Sequence, residues 1–136
     1  MPEKETLRRA EEDKREGKSA STQAGEFVRE EIHHIREGKH GAKSAKQAIA
    51  IGLSKARRAG VDLKPPKKGT ASSRTRKSAE RDFERGHSRK KKKTSAARSR
   101  SGLAALKREP RSAASHKALS RQAKSAAKSR SRRKAA

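Results

Sequence analysis

Cations are the chemistry this chain holds in greatest supply. Lys and Arg number 40 against 15 Asp and Glu, a formal net charge of +25 over 136 residues. Residues 64–136 hold 26 of those bases and only four acids, so +22 of the charge lies in that stretch. One run is Arg89, Lys90, Lys91, Lys92 and Lys93; another is Arg130, Arg132, Arg133 and Lys134. Lys67, Lys68, Arg98, Arg100, Lys107, Arg108, Arg121, Lys124 and Lys128 are spread among them. Such side chains neutralise phosphates and release condensed counterions whatever the base sequence, which reads as a ligand for a nucleic-acid backbone. Trp and Tyr are absent and Phe occurs twice. The stacking platforms of single-strand and RNA-loop binders are therefore missing, and duplex DNA is the preferred partner over RNA. Cations held on no rigid element position a protein without reading base edges, so binding is expected largely without sequence specificity.

Other chemistries are poorly supplied. Residues 38–44, GKHGAKS, have the spacing G-x-x-G-x-K-S and follow a helix, whereas a phosphate loop needs G-x-x-x-x-G-K-S after a strand. His33, His34 and His40 with Glu30 and Glu37 form one metal-like cluster, but nothing in the sequence places a rigid third and fourth ligand. They read as polar-face residues, and no metal or other cofactor is expected. Cysteine is absent, which excludes disulfides and thiolate sites. No nucleophile, base and orienting group assemble, so neither enzymatic activity nor a small-molecule substrate is expected.

The elements that must position the cations are helical. Residues 6–17 suit a polar helix with Leu7 and Ala10 as its apolar pair, which frays unless something docks on it. A second helix, capped by Ser21 or Thr22 and ended by Gly38, sets Ala24, Phe27, Val28, Ile32 and Ile35 within an arc of about 140°. Glu31 sits inside that arc and needs a base on the third helix or a snorkelling position at the interface edge. Ser44 and Gln47 make a capping box for a third helix over residues 45–59, which Gly60 and Val61 stop as a Schellman ending. Ala45, Ala48, Ile49, Gly52, Leu53, Ala56 and Ala59 share one face of that helix, and its small residues permit close approach of the second helix. An antiparallel hairpin follows. Lys43, Lys46, Lys55, Arg57 and Arg58 flank its packed face as further phosphate ligands. Its core is near the lower size limit for independent folding, so a homodimer or a bound partner is expected to complete it.

Beyond Leu63 the paired prolines of KPPKK mark a linker. With 28% apolar residues, 40% charged and a mean hydropathy of -1.29, most of the remaining chain is too poor in large apolar side chains to offset its conformational entropy. Residues 78–85, 102–108 and 112–128 favour helix once phosphates neutralise their repulsion. The expected organisation is a charged lead segment over residues 1–20, a helical hairpin head over 21–63, and a long, largely disordered basic tail over 64–136. The fold class is all-α, with two or three helices in the head.

At residues 47–60, QAIAIGLSKARRAG, together with the preceding GKHGAKSAK, the chain resembles a family of uncharacterised small basic bacterial proteins. These carry only generic DNA-binding or histone-like descriptions. The resemblance covers about residues 22–63 and includes Ser44, Gln47 and Gly60. The tail resembles linker-histone tails in composition alone. What this implies is a bacterial nucleoid setting; it supplies no site residues. No stretch is long and apolar enough for a membrane span, and the polar start lacks the apolar core of a secretory signal, so a cytoplasmic, nucleoid location with no membrane partner is expected. Charge, composition and resemblance together point to a nucleoid-associated, histone-like architectural protein that condenses duplex DNA. The alternative is an RNA-binding or ribosome-associated basic protein whose tail threads between rRNA helices.

Overall fold

Ser44 opens a helix and Gly60 closes it, as the local sequence requires. The Ser44 hydroxyl accepts from the Gln47 amide at 3.2 Å, and the Gln47 side chain reaches back to the Lys43 amide at 2.6 Å, one residue before the position an ideal capping box would satisfy. At the other end Gly60 takes φ +100°, its amide donates to the Arg57 carbonyl, and the Val61 amide donates to the Ala56 carbonyl. Those two bonds are the Schellman pair. A computed structural model describes residues 2–88 and 95–135, with α1 at Lys4–Arg15, α2 at Ala20–Arg36, α3 at Ala45–Arg58, α4 at Ser73–His87, α5 at Ala96–Lys107 and α6 at His116–Ala135. A short 3-10 helix, Arg111–Ala114, precedes α6. Among the described residues there is no strand, only an isolated bridge between Lys68 and Ala71. None of these helices is long and apolar enough to cross a membrane.

α2 and α3 pack as the hairpin. A Cβ built on Gly52 would lie 2.6 Å from the Val28 Cα, so the two backbones meet at a distance that no side chain allows. The cap of α2 is Ser19, which accepts from the Thr22 amide, and not Ser21 or Thr22; these lie within the helix. Two apolar clusters form the core. One gathers Ala10, Ala24, Phe27, Ala56 and Val61, with Leu53 and Leu63 partly covered against it. The other gathers Ile35, Ala42, Ala48, Ala113 and Ala114, with Ile32 against it.

α1 docks on α2 through Ala10 in the first cluster and through polar contacts. Its inward residues are Thr6, Ala10 and Asp13, while Leu7, expected to pair with Ala10, is 41% exposed. Glu30 accepts from the Glu3 amide at 2.6 Å and from the Thr6 hydroxyl at 3.2 Å. The helix that would fray alone is thereby held.

The disordered tail expected over residues 64–136 is overturned: its described residues, 64–88 and 95–135, are folded and return to the head. Serine hydroxyls at 72, 95 and 115 cap its α-helices, accepting from the Thr75, Arg98 and Ala118 amides. α4 lies on α3 with Gly86 so close to the Arg57 carbonyl that a Cβ would fall 1.8 Å from its oxygen. Downstream, the Gly41 amide donates to the Leu106 carbonyl at 2.8 Å and the Ala42 amide to the Pro110 carbonyl at 3.1 Å. Arg111 donates from its guanidinium to the Ile35 and Arg36 carbonyls, capping α2, and Arg36 answers with a 2.9 Å bond from Nε to the Ala114 carbonyl. The expectation of disorder fails because it weighs large apolar side chains. Docking here rests on alanine, glycine, backbone hydrogen bonds and arginine caps, none of which counts as a large apolar side chain. Part of the cover expected from a second copy or a partner comes from α4 and the 3-10 segment of the same chain.

Candidate nucleic-acid interface

The returned tail sets the start of α6 beside the start of α3. Between them lies an open groove of about 520 Å³ with Lys43 and Lys46 on one wall, Lys117 and Arg121 on the other, and Ala45, Ala113 and Ala118 within its lining. Ser44, Ser112, Ser115, Gln122 and Ser125 supply short polar groups. Both helices enter the groove at their N-termini, so the positive ends of two macrodipoles add to four side-chain charges. All four basic residues are exposed.

α6 continues the charge beyond the groove. Its sequence, HKALSRQAKSAAKSRSRRKA, contains no acid. At 100° per residue Lys117, Arg121, Lys124, Lys128 and Arg132 fall within an arc of about 80°, a straight stripe about 22 Å long at 1.5 Å per residue. The partly covered residues Ala118, Leu119, Gln122 and Ala126 lie toward the other side, where the helix rests on the head. Arg130, Arg133 and Lys134 are exposed along its last turns.

The structure separates the cations that sequence treats alike. It brings Lys43, Lys46 and Arg121 together and adds Lys117, which charge patterning alone does not single out. Ser115, the cap whose position ahead of His116 fixes where α6 begins, is the signal that could have found it. Lys55 and Arg57, expected as phosphate ligands, are engaged by partners within the chain. Lys55 pairs with Glu31 of α2, whose side chain is buried. Arg57 is buried and donates to the Leu63 and Lys64 carbonyls at 3.1 and 3.3 Å, and burial holds its guanidinium below the usual arginine value against the opposing pull of Asp82. Arg58 lies 3.8 Å from Asp82 and remains 40% exposed. Lys67 and Lys68 are exposed in the linker, and Arg98, Arg100, Lys107 and Arg108 on α5 and its end. Arg89 and Lys90 to Lys93 lie outside the described residues.

The polar-face reading of the histidine cluster is also corrected. Glu30 and His40 are buried, and His34 is largely covered, with a side chain 15% exposed; only His33 and Glu37 stay outward. Glu31 makes the expected pairing with a base of α3, and His40 Nε2 approaches its other oxygen at 3.3 Å.

Residues 13–69 match a family of unknown function, DUF6496. Neither curated proteins nor solved structures give a match. The groove straddles the limit of the matched segment, with Lys43 and Lys46 inside it and Lys117 and Arg121 beyond.

Proposed function

We propose that this protein binds duplex DNA through its phosphates, largely without regard to base sequence, as a nucleoid-associated, histone-like architectural protein. The observation that carries the reading is the convergence of four exposed cations and two helix N-termini on one groove that continues into the acid-free stripe of α6. A cation on a docked helix is partly preorganised, so less side-chain and backbone freedom is lost on binding than from a mobile chain. Lysine predominates in the groove and acts as a point charge, which suits phosphate oxygens and gives no fixed donor fork toward base edges.

Salt dependence tests this. Four phosphates neutralised in the groove contribute about -3.6 to the slope of log K against log salt on B-DNA. Full-length protein and a variant with Lys43, Lys46, Lys117 and Arg121 all changed to alanine are titrated on two unrelated duplexes and a double-stranded RNA of equal length. The variant should lose most of that increment equally on both duplexes. An unchanged slope, a strong preference for one duplex, or tighter binding to the RNA would refute the proposal.

A further inference from the structure

We propose that Glu31, His34 and His40 form a binding site for a transition-metal dication of the zinc class. One ligand atom from each of the three lies within 4.8 Å of the others. Glu31 and His34 are three residues apart on α2, one turn of a single face. His40 reaches them from the connector between α2 and α3.

The tautomer of His40 is set by its neighbour. Nδ1 lies 2.9 Å from the Gly41 carbonyl, which can only accept, so Nδ1 carries the proton. In a neutral ring Nε2 then presents a lone pair, and it faces Glu31 Oε2 at 3.3 Å. That carboxylate oxygen is buried and receives no hydrogen bond. Two opposed lone pairs at a buried contact repel, and a cation between them, whether a proton or a metal ion, relieves that repulsion. The hydrogen bond from the non-coordinating ring nitrogen to a backbone carbonyl is the outer-shell arrangement that orients a metal-binding imidazole. The separation also fits: bonds of about 2.0–2.2 Å at a tetrahedral centre put ligand atoms about 3.3–3.5 Å apart. His34 Nε2 lies 3.0 Å from the Glu3 carboxylate, which can only accept, so Nδ1 is the His34 nitrogen left to bind an ion.

Further acidic groups stand close to the three ligands, with Lys55 on Glu31 and Lys39 3.6 Å from Glu3. Lys55 holds Glu31 Oε1 and so orients Oε2 toward the imidazoles. Glu30 Oε2 is a second buried oxygen without a hydrogen bond, and Glu3 Oε1 lies 3.0 Å from His34 Nε2. Three carboxylates thus gather in a chain whose net charge is +25. Glu3, Glu30 and His34 satisfy the same distance test, but Glu3 is exposed and Glu30 Oε1 is already occupied by the Glu3 amide and Thr6. Two imidazoles and a buried carboxylate are the stronger donor set for zinc. A bound ion would tie α2 to the connector that also carries Gly41 and the docked tail.

Calorimetric titration of the full chain with Zn²⁺, in buffer free of phosphate and nucleic acid, tests the site apart from DNA binding. One equivalent should bind saturably, and Co²⁺ in its place should give the visible bands of a tetrahedral centre. His34→Gln and His40→Gln should each weaken binding more than about tenfold while circular dichroism shows the fold retained. His33→Gln and His116→Gln, at exposed positions, should bind as the parent does. Absence of saturable binding would overturn the proposal. So would a His40→Gln variant of parental affinity, or loss on Glu3→Gln alone, which would assign the ion to the neighbouring triad.

Discussion

Replacing Gly41 with alanine should release the tail from the head without unfolding the hairpin. The added methyl would lie 1.9 Å from the Glu109 carbonyl oxygen and 2.7 Å from that of Pro110, both backbone atoms that cannot swing aside. The connector and the segment after α5 must therefore part. Parting breaks the Gly41 to Leu106 and Ala42 to Pro110 hydrogen bonds and uncovers Ala113 and Ala114. At about 1 kcal/mol per hydrogen bond and about 0.8 kcal/mol per buried methyl, the docking free energy falls by about 3–4 kcal/mol. The open population should then rise by a few hundredfold. Native-state hydrogen exchange reads this directly: the Ala42 amide should lose protection by that factor, while the Ala56 and Val61 amides at the end of α3 keep theirs. The same variant should show a flatter salt slope on duplex DNA, since the groove loses the wall that α6 provides. Unchanged exchange at Ala42 would refute the docked tail, and equal loss at Ala56 would show that head and tail unfold as one unit.

Gly52→Ala sets a methyl 2.6 Å from the Val28 Cα and should cost at least about 2 kcal/mol in denaturant unfolding, the range of overpacked cores. Arg111→Ala leaves the Ile35 and Arg36 carbonyls without a charged donor and should cost about 2 kcal/mol; Arg111→Lys should recover little, because a point charge cannot serve both carbonyls as the planar guanidinium does. Lys55→Met strands the buried Glu31 carboxylate and should destabilise by about 3 kcal/mol, read in urea melts at neutral pH. A cost below about 0.5 kcal/mol for Lys55→Met would show that His40 alone satisfies the carboxylate.

What the amino-acid sequence makes legible is local. Ser44, Gln47, Gly60 and Val61 act on their own helix within one turn, so both ends of α3 are bounded by its own residues. Gly52 declares a close helix contact because a glycine on a packed face has few other uses. The start of α2 differs by two or three residues from the expected one because Ser19, Ser21 and Thr22 all carry capping hydroxyls, and only the wider packing chooses among them. The tail escapes such reading for a different reason. Gly41, Gly86, Ala113 and Ala114 act by what they lack, and a missing side chain becomes informative only once the opposing backbone is known. Sign of charge likewise cannot distinguish Lys46, which faces solvent, from Lys55, which serves Glu31. His40 resists placement because its direction depends on the course of a connector that carries no periodic pattern.

The reciprocal arginines have a consequence for the order in which the molecule is made. Arg111 and Arg36 are 75 residues apart, and joining the ends of so long a loop costs about 4 kcal/mol in chain entropy. Arg111 can recover that cost only against carbonyls already presented at the finished C-terminal end of α2, and Ala114 only against an Arg36 already fixed there. On a ribosome α2 emerges long before either partner. The head can therefore fold while the tail is still being synthesised, and closure becomes the final event. The groove, whose two walls come from opposite sides of that closure, cannot exist on a nascent chain. A strongly cationic protein built this way assembles its groove only after synthesis has passed residue 121; if the groove binds phosphates as proposed, an unfinished copy lacks that site while nucleic acid crowds the place of its own translation.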